Sequence, residues 1–459
     1  MAQIVTVNVS QQLGATPNQF QRKGAIASVG GTTLTAGSSL LLTQAKDLTT
    51  NLAGSVAITT ATWASGVVTL ATATPHGLTS GDLVTVAGYT NTYAGYNVNG
   101  AVATVTGASG LTYPVVTSLP TPAVGSGVLT DQDVAQLVSE VTTFFAQGTG
   151  LGVYVLELGH GTIPTSVAAL AAYITANPAG SSGSFYRYLV PRLWDADSTF
   201  QALVAQYSAT TAKTYFDVTA QVSTYANFTA KSVGMMIEAP TIPATEFSMA
   251  SRFWKELSYD PNPSNQVTPL QYSYLQAVTP YPITGSQSAT FGAGNLDYVT
   301  TAAEGGISNK MLALGKMADG NPFNYWYSVD WMQLTADLRI SNAIINGSNN
   351  PLAPLFYDQN GINQLSTVVQ GVAASAIANG LAVGPVSAYT MTAAAFAAFL
   401  ASGTAPVGVL VNAVPFVSYV RLNPSDYPIG NYGGLSMAYT PARGFSTIVF
   451  NIAVSNFIP

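Results

Sequence analysis

Apolar and polar residues alternate at both ends of the chain. Over residues 4–10, Val5, Val7 and Val9 point one way and Ile4, Thr6 and Asn8 the other, the pattern of a strand with one apolar face. Gln11-Gln12-Leu13-Gly14-Ala15-Thr16-Pro17 breaks it and acts as a tether. Near the other end, Ile448, Phe450, Ile452 and Val454 form one apolar face of a second strand over 447–454. Between the ends the period changes twice. Residues 55–122 carry short strand-like runs (Val67–Leu70, Leu83–Val86, Val102–Val105) separated by Gly-rich turns, as in a small all-β module with Tyr93, Tyr96 and Tyr113 in its core. Leu119 to Gly127 reads as its exit linker.

From Thr130 the helical period takes over. Thr130-Asp131-Gln132-Asp133 caps a helix with Val134, Leu137, Val138, Val141 and Phe145 on one face, and Gly148 ends it. Strands at 153–156, 186–191, 215–218 and 234–237 alternate with helices at 167–176 and 200–207, which predicts βαβ units around a largely parallel sheet. A second helical part follows, with helices over 329–345, 362–378 and 393–400 and a strand over 414–420. The expected fold class is therefore α/β and α+β multidomain: a βαβ-type core, an inserted all-β domain and extended terminal strand arms. The expected boundaries are 1–20 (arm), 21–54 with 123–300 (α/β domain), 55–122 (insert), 301–443 (C-terminal domain) and 444–459 (arm).

Composition adds one constraint. Charged residues are only 7% of the 459, against about 25% in ordinary soluble domains, while 48% are hydrophobic. A chain so poor in charge is expected to hide much of its surface in neighbours. The net charge of −6 gives no basic footprint, which argues against nucleic acid as a partner. No cysteine is present, which excludes disulfides and zinc–thiolate sites. The first residues lack the basic and apolar regions of a signal peptide, and no apolar run approaches the roughly 20 residues needed to span a bilayer. Direct membrane insertion is not expected.

Candidate chemistry is sparse. The two histidines, His76 and His160, sit beside glycines, where a lone His is ordinarily a turn or hydrogen-bonding residue. Gly148-Thr149-Gly150-Leu151-Gly152 precedes a strand instead of opening a helix, so it reads as a helix end and not a phosphate cradle. Asp195 and Asp197 fall in a strand-to-helix turn, where Asp caps; a glycosidase would need a partner carboxylate that the sequence does not nominate. No catalytic, cofactor-binding or metal-ligating residue is expected, and the chain reads as a non-enzyme. The most distinctive stretch is Gly315 to Pro322, leading into Tyr325-Trp326-Tyr327 and Asp330-Trp331. It is a turn that delivers aromatics onto a helix, either as a docking surface or as the anchor of a core helix.

The order of these features resembles the tail sheath protein of contractile-tailed bacteriophages. The resemblance rests on a tethered N-terminal strand, the Lys316…Asp319-Gly320 turn before the Asp330-Trp331 helix, and a long helix ending Ala378-Asn379-Gly380-Leu381. A strand with Tyr419-Val420-Arg421 and the apolar terminal strand complete it. It covers 300–459 best, 130–260 and the first fifty residues more loosely, and the insert not at all; the insert resembles small β-domains that decorate phage tail proteins. One departure is Ala442-Arg443-Gly444-Phe445, which lacks the His that many relatives carry nearby.

The resemblance implies a virion protein, assembled in the host cytoplasm, that stacks as hexameric rings around a tail tube and meets baseplate and tail terminator proteins. Terminal arms would add strands to a neighbour's sheet, and contraction would drive the tube through the host envelope. Lys310, Lys316, Trp331, Arg339 and Arg421 are the candidate tube-facing or docking residues, and Ile4, Val5, Val7, Val9, Ile448, Phe450, Ile452 and Val454 the inter-subunit arm residues. Ordering a seven-residue arm costs roughly 1–2 kcal/mol per residue, while hydrogen bonds return a net of about 0.5–1.5 kcal/mol each. The apolar faces must therefore decide whether an arm holds. A tail fibre, adhesin or surface-layer subunit is the alternative reading.

Overall fold

The computed structural model describes residues 17–123, 127–304 and 307–444. The arms expected at 4–10, with Ile4, Val5, Val7 and Val9, and at 447–454, with Ile448, Phe450, Ile452 and Val454, lie outside the described residues. The chain divides into two units. The first comprises residues up to Asp260, Tyr274–Leu312 and Lys316–Asn321, and the second Pro261–Ser273, Ala313–Gly315 and the chain from Pro322 onward.

In the first unit a short helix, α1 (Pro17–Gln21), leads into β1 (Gly24–Ser28), and β2 (Ser39–Leu42) follows. The insert then contributes β3 (Val56–Ala64), β4 (Val67–Thr72), β5 (Leu83–Ala87), β6 (Val98–Val102), β7 (Thr104–Gly107), β8 (Gly110–Pro114) and β9 (Val128–Asp131). The chain returns through α2 (Gln132–Ala146), β10 (Val153–Glu157), α3 (Ile163–Ala176), β11 (Arg187–Leu189), α4 (Ser198–Ala205), β12 (Tyr215–Thr219) and β13 (Val233–Ile237). After α5 (Ser248–Leu257) and α6 (Gly285–Ala293) come β14 (Asp297–Glu304) and β15 (Ile307–Leu312).

These strands make one eight-stranded sheet in the order β15-β14-β13-β12-β11-β1-β10-β2. Six central strands run parallel, and β2 and β15 join antiparallel at the edges. The largely parallel expectation therefore holds. Strands β1, β12 and β13 are buried along their whole length, as a parallel sheet covered by helices on both faces requires. Alternation along β12 shows the two layers. Phe216 meets Phe200 of α4, with ring centroids 6.0 Å apart, while the next residue, Asp217, turns to the opposite face and α5.

On the α5 face the packing is ionic. The Arg187 guanidinium donates to both oxygens of Asp217 at 2.8 and 2.5 Å and lies 2.7 Å from Glu256. Arg252 donates to the other Glu256 oxygen at 3.0 Å, to Asp297 at 3.2 Å, and to the carbonyls of Met235 and Lys316. All five side chains are fully buried. Gly234 makes room for them, since a Cβ there would lie 2.8 Å from Asp217 Oδ1 and 2.9 Å from Arg252 Nη2.

The insert is a seven-stranded antiparallel sheet in the order β6-β5-β9-β3-β4-β8-β7. Tyr89, Tyr96 and Tyr113 fill its core, and Tyr93 packs at the margin. Two details differ from expectation. The run Val102–Val105 is broken at Ala103 into two strands, and beyond the expected end of the insert at 122, Val128–Asp131, of which the sequence reads Thr130–Asp131 only as a helix cap, forms the strand β9, paired with both β3 and β5. Its four residues run straight into the cap of α2, so the strand signal is hidden under the helix signal.

The second unit holds α7 (Phe323–Asn349) and α8 (Gln359–Ala378), packed against each other, with β16 (Val386–Tyr389), α9 (Ala393–Ala401), β17 (Val409–Ala413), α10 (Phe416–Leu422) and β18 (Leu435–Tyr439). Strand β17 is central, parallel to β16 and antiparallel to β18. The strand expected at 414–420 is a helix instead. Pro415 cannot donate to a ladder, and its fixed φ suits a helix start, so the strand ends at Ala413 and α10 begins. The buried strand is the preceding run Val409-Leu410-Val411-Asn412-Ala413.

Replacing Arg187 by Met leaves Asp217 buried without its bidentate partner. Breaking a buried pair in this way is expected to cost roughly 3–5 kcal/mol. Urea unfolding of Arg187→Met should show a lower midpoint at unchanged slope; a loss below about 1 kcal/mol would mean that packing, not the ion network, holds the sheet.

Candidate functional site

The sheet order places β10, β1, β11, β12 and β13 as 2-1-3-4-5 in chain sequence within the parallel core, so successive connections leave β1 in opposite directions. In open α/β sheets a crevice opens at such a switch point, outside the carboxyl ends of the strands. The insert and the loops after β10 and β11 meet at that edge.

Each polar side chain there has a local reason for its position. Asp82 closes the turn into β5, accepting from the Thr79 amide at 2.5 Å and from the Thr79 hydroxyl. Asp131 ends β9 and caps α2 by accepting from the Asp133 amide at 3.0 Å. His160 follows β10 in the glycine-flanked turn 159–161. Glu157, at the end of β10, is buried and accepts from Ser28, the Gly30 amide, both donors of Thr32, and the Gly159 amide, at 2.7 to 3.1 Å. Those five bonds fold the loop after β1 onto the loop after β10 and aim His160 at the insert.

The imidazole lies between two carboxylates, with Nε2 2.5 Å from Asp82 Oδ2 and Nδ1 3.3 Å from Asp131 Oδ2. Hydrogen bonds to Asp131 and Asp82 outweigh burial and raise the His160 pKa to about 10. For Asp82, burial works upward, but the bonds from His160 and Thr79 prevail and hold its carboxyl below the usual range. Asp133 moves the other way: burial, then the neighbouring Asp131 charge, push it up.

Asp131, Asp133 and His160 offer ligand atoms within 4.8 Å of one another, which makes a cation site conceivable by distance. The geometry argues otherwise, because both ring nitrogens of His160 already face carboxylates and a metal ligand must be a neutral imidazole with a free nitrogen. Binding would require His160 to lose its proton and one of its two aspartates. The same reasoning applies to acid–base catalysis, which needs one ring nitrogen free to face a substrate. In this arrangement both nitrogens are occupied. The ion triad is chemically a staple between the insert and the α/β sheet, with Asp82 and Asp131 on one side and His160 on the other.

Beside the triad is a crevice of about 570 Å³, lined by Asp82, Asn99, Gln132 and Asp133 on one side and Thr162, Arg192 and Trp194 on the other. Arg192 is committed to Glu238 through two bonds at 2.6 and 3.1 Å and to the Glu246 carbonyl at 2.7 Å. Asp197 caps α4, as its position in the sequence implied, and His76 serves its own turn by accepting from the Leu78 amide at 3.1 Å.

Among the docking candidates, Lys310 is half-buried on β15, and Lys316 lends its carbonyl to Arg252; both belong to the first unit. Trp331 is 4% exposed and lies within the core of its unit, so the expectation of a docking side chain is corrected: α7 needs an anchor there. Arg339 and Arg421 are exposed, the first alongside Gly371 of α8 and the second on α10. Sequence reading passed over the triad because its members are far apart and each looks locally employed. One signal was present. Asp82 is the sole charged residue in 55–122, and a lone carboxylate in an uncharged module needs a partner from outside it.

No protein-family model matches the chain, and no curated protein matches it. Among solved structures, it is similar to a chain in the cryo-EM structure of the anti-feeding prophage baseplate, at 13% identity and a TM-score of 0.44, over 70% of this chain and 80% of that one. A likeness that distant fixes neither fold nor role.

The staple gives stability a pH signature. A histidine whose pKa is raised stabilises fully below its ordinary value near 6.5, and that contribution is lost as pH rises through about 10. The melting temperature of His160→Gln should therefore fall below wild type at pH 6, and the gap should close by pH 10.5. A gap independent of pH would show that the side chain acts by packing alone.

Proposed function

We propose that this chain is the subunit of a contractile phage tail sheath, a non-catalytic protein that polymerises around a tail tube. The observation that carries the reading is an inverted distribution of charge. Two arginines and three carboxylates are spent in the interior of the sheet, while Phe356, Val407, Val417, Leu422 and Ile429 stand in solvent at more than 60% exposure. Scattered apolar residues are normal on a surface, but concentrated ones beside so little charge suit a surface that other molecules cover.

The choice of a sheath among assemblies rests on the sequence resemblance over 300–459, on the apolar terminal strands, and on a β-module inserted into an α/β body. In this reading the partners are other copies in hexameric rings, the tube protein, and baseplate and terminator proteins; the location is the virion. No described helix is long and apolar enough to cross a membrane.

Negative-stain micrographs of the purified chain should show tubes with helical striations. Removing residues 1–10 should leave a folded protein that no longer forms them, since an apolar strand end is a template for pairing with another chain. Normal tubes from the truncation would sink the arm-exchange part of the proposal. Failure of the full chain to form tubes in any assembly buffer would sink the sheath reading.

A further inference from the structure

The crevice beside the staple is lined by acceptors that the chain itself leaves without donors. Asp133 lines it from the first turn of α2. Its amide donates to Asp131, but its carboxylate receives no hydrogen bond from the described residues. On the same wall Gln132 Oε1 is buried without a partner. On the side of Arg192 and Trp194, Asp197 takes the Thr199 amide, the Thr199 hydroxyl and the Phe200 amide on Oδ1, and its Oδ2 remains open. The other lining charges are spent. Asp82 is held by His160 and Thr79, and Arg192 by Glu238 and the Glu246 carbonyl. The cation beside Asp133 is His160, which sits between Asp82 and Asp131. Its pull on Asp133 is outweighed by burial and by the Asp131 charge, so that carboxyl stays raised, as an acid without a counter-ion does.

Acceptors without donors select a ligand that donates and does not accept, and a primary ammonium offers only donors. Anions are disfavoured, although the crevice opens at the carboxyl ends of parallel strands, where phosphates commonly sit on helix starts. Here the starts of α2 and α4 are already capped by the carboxylates of Asp131 and Asp197. The rest of the lining includes Ile163, Pro164, Pro191 and Leu193, the last 58% exposed. A methylene chain therefore finds apolar surface to cover in the same crevice as the two unpaired carboxylates.

The geometry points to a binding site for a linear aliphatic amine, with one ammonium on Asp133 and Gln132 Oε1, another on Asp197 Oδ2, and the methylene chain along Ile163, Pro191 and Leu193. The crevice volume of about 570 Å³ is in the ordinary range for a small-molecule site and leaves room for a triamine. Every residue of the site belongs to the first unit, and the site does not depend on whether the chain polymerises. The same chemistry is carried by a free polyamine and by the lysine side chain of another protein.

Calorimetric titration of the full-length chain with spermidine tests the assignment, beside Nα-acetyl-lysine amide and the uncharged triethylene glycol. Spermidine should bind saturably at one site per chain, and triethylene glycol should not bind. Asp133→Asn and Asp197→Asn should each weaken spermidine binding at least tenfold, the loss of one charge-assisted contact. Both variants should keep the wild-type circular dichroism, since the Asp133 carboxylate bonds nothing and Asn caps a helix as well as Asp does. Spermidine binding at least tenfold tighter than the lysine amide identifies a free polyamine as the ligand. Any smaller difference identifies a lysine side chain, and either outcome supports the site. No saturable binding of either amine at millimolar concentration would overturn it. So would binding that both variants leave unchanged, which is the mark of diffuse attraction to an acidic chain.

Discussion

The sheet depends on Glu256. One of its oxygens accepts from Arg252 and the other lies 2.7 Å from Arg187, and through these two arginines α5 is tied to β11, β12 and β14 at once. A parallel strand that is apolar on both faces carries little information about register, because sliding it exchanges one Val or Met for another. A buried ion pair cannot slide. Each buried ion costs several kcal/mol of desolvation, returned only where the partners meet in good geometry. The network counts two positive and three negative groups, one carboxylate in excess. Burial, set against the pull of both arginines, raises the Glu256 carboxyl, and that site can take up the proton that balances the charge. The alignment so fixed is what brings the ends of β1, β10 and β11 to one edge, where the histidine staple forms.

The two charged constructions divide the labour differently. The Arg–carboxylate network is internal to the sheet and dry, so salt in the medium acts on it weakly. The His160 triad is partly open to water and joins two pieces of chain that each have a core of their own. One lies within the sheet, and the other ties the insert to it. The rest of the described surface carries few charges, among them Lys46, Arg339, Asp358, Arg421 and Arg443, and is otherwise mostly hydroxyls, carboxamides and apolar side chains.

The fold was legible wherever a periodic pattern ran without competition. The strands at 153–156, 215–218 and 234–237 and the helices over 167–176 and 362–378 stand within a few residues of their expected places. Reading failed where two signals overlapped. Val128–Asp131 is both a strand and a helix cap, and Val414–Val420 looked like a strand only if Pro415 was ignored. The aromatic turn into α7 was rightly seen as a helix start, but Trp331 turned inward, because periodicity gives the face of a helix and not what covers it. The His160 triad stayed hidden for a different reason. Residues 82 and 131 are brought together by the insert's fold and 160 is aimed at them by the bonds to Glu157, and no spacing along the chain encodes that.

The insert's two ends have a consequence of their own. Val56 pairs with Leu129 and Ala57 with Val128, so the chain leaves the α/β body and returns to it on adjacent antiparallel strands. Paired residues on such strands lie only about 5 Å apart. Any compact domain whose termini are neighbours could occupy the same gap with little change in loop-closure entropy, because that cost depends on the separation to be bridged and only weakly on what fills it. The position is thus a socket, in which one inserted domain can be exchanged for another without redrawing the sheet beneath.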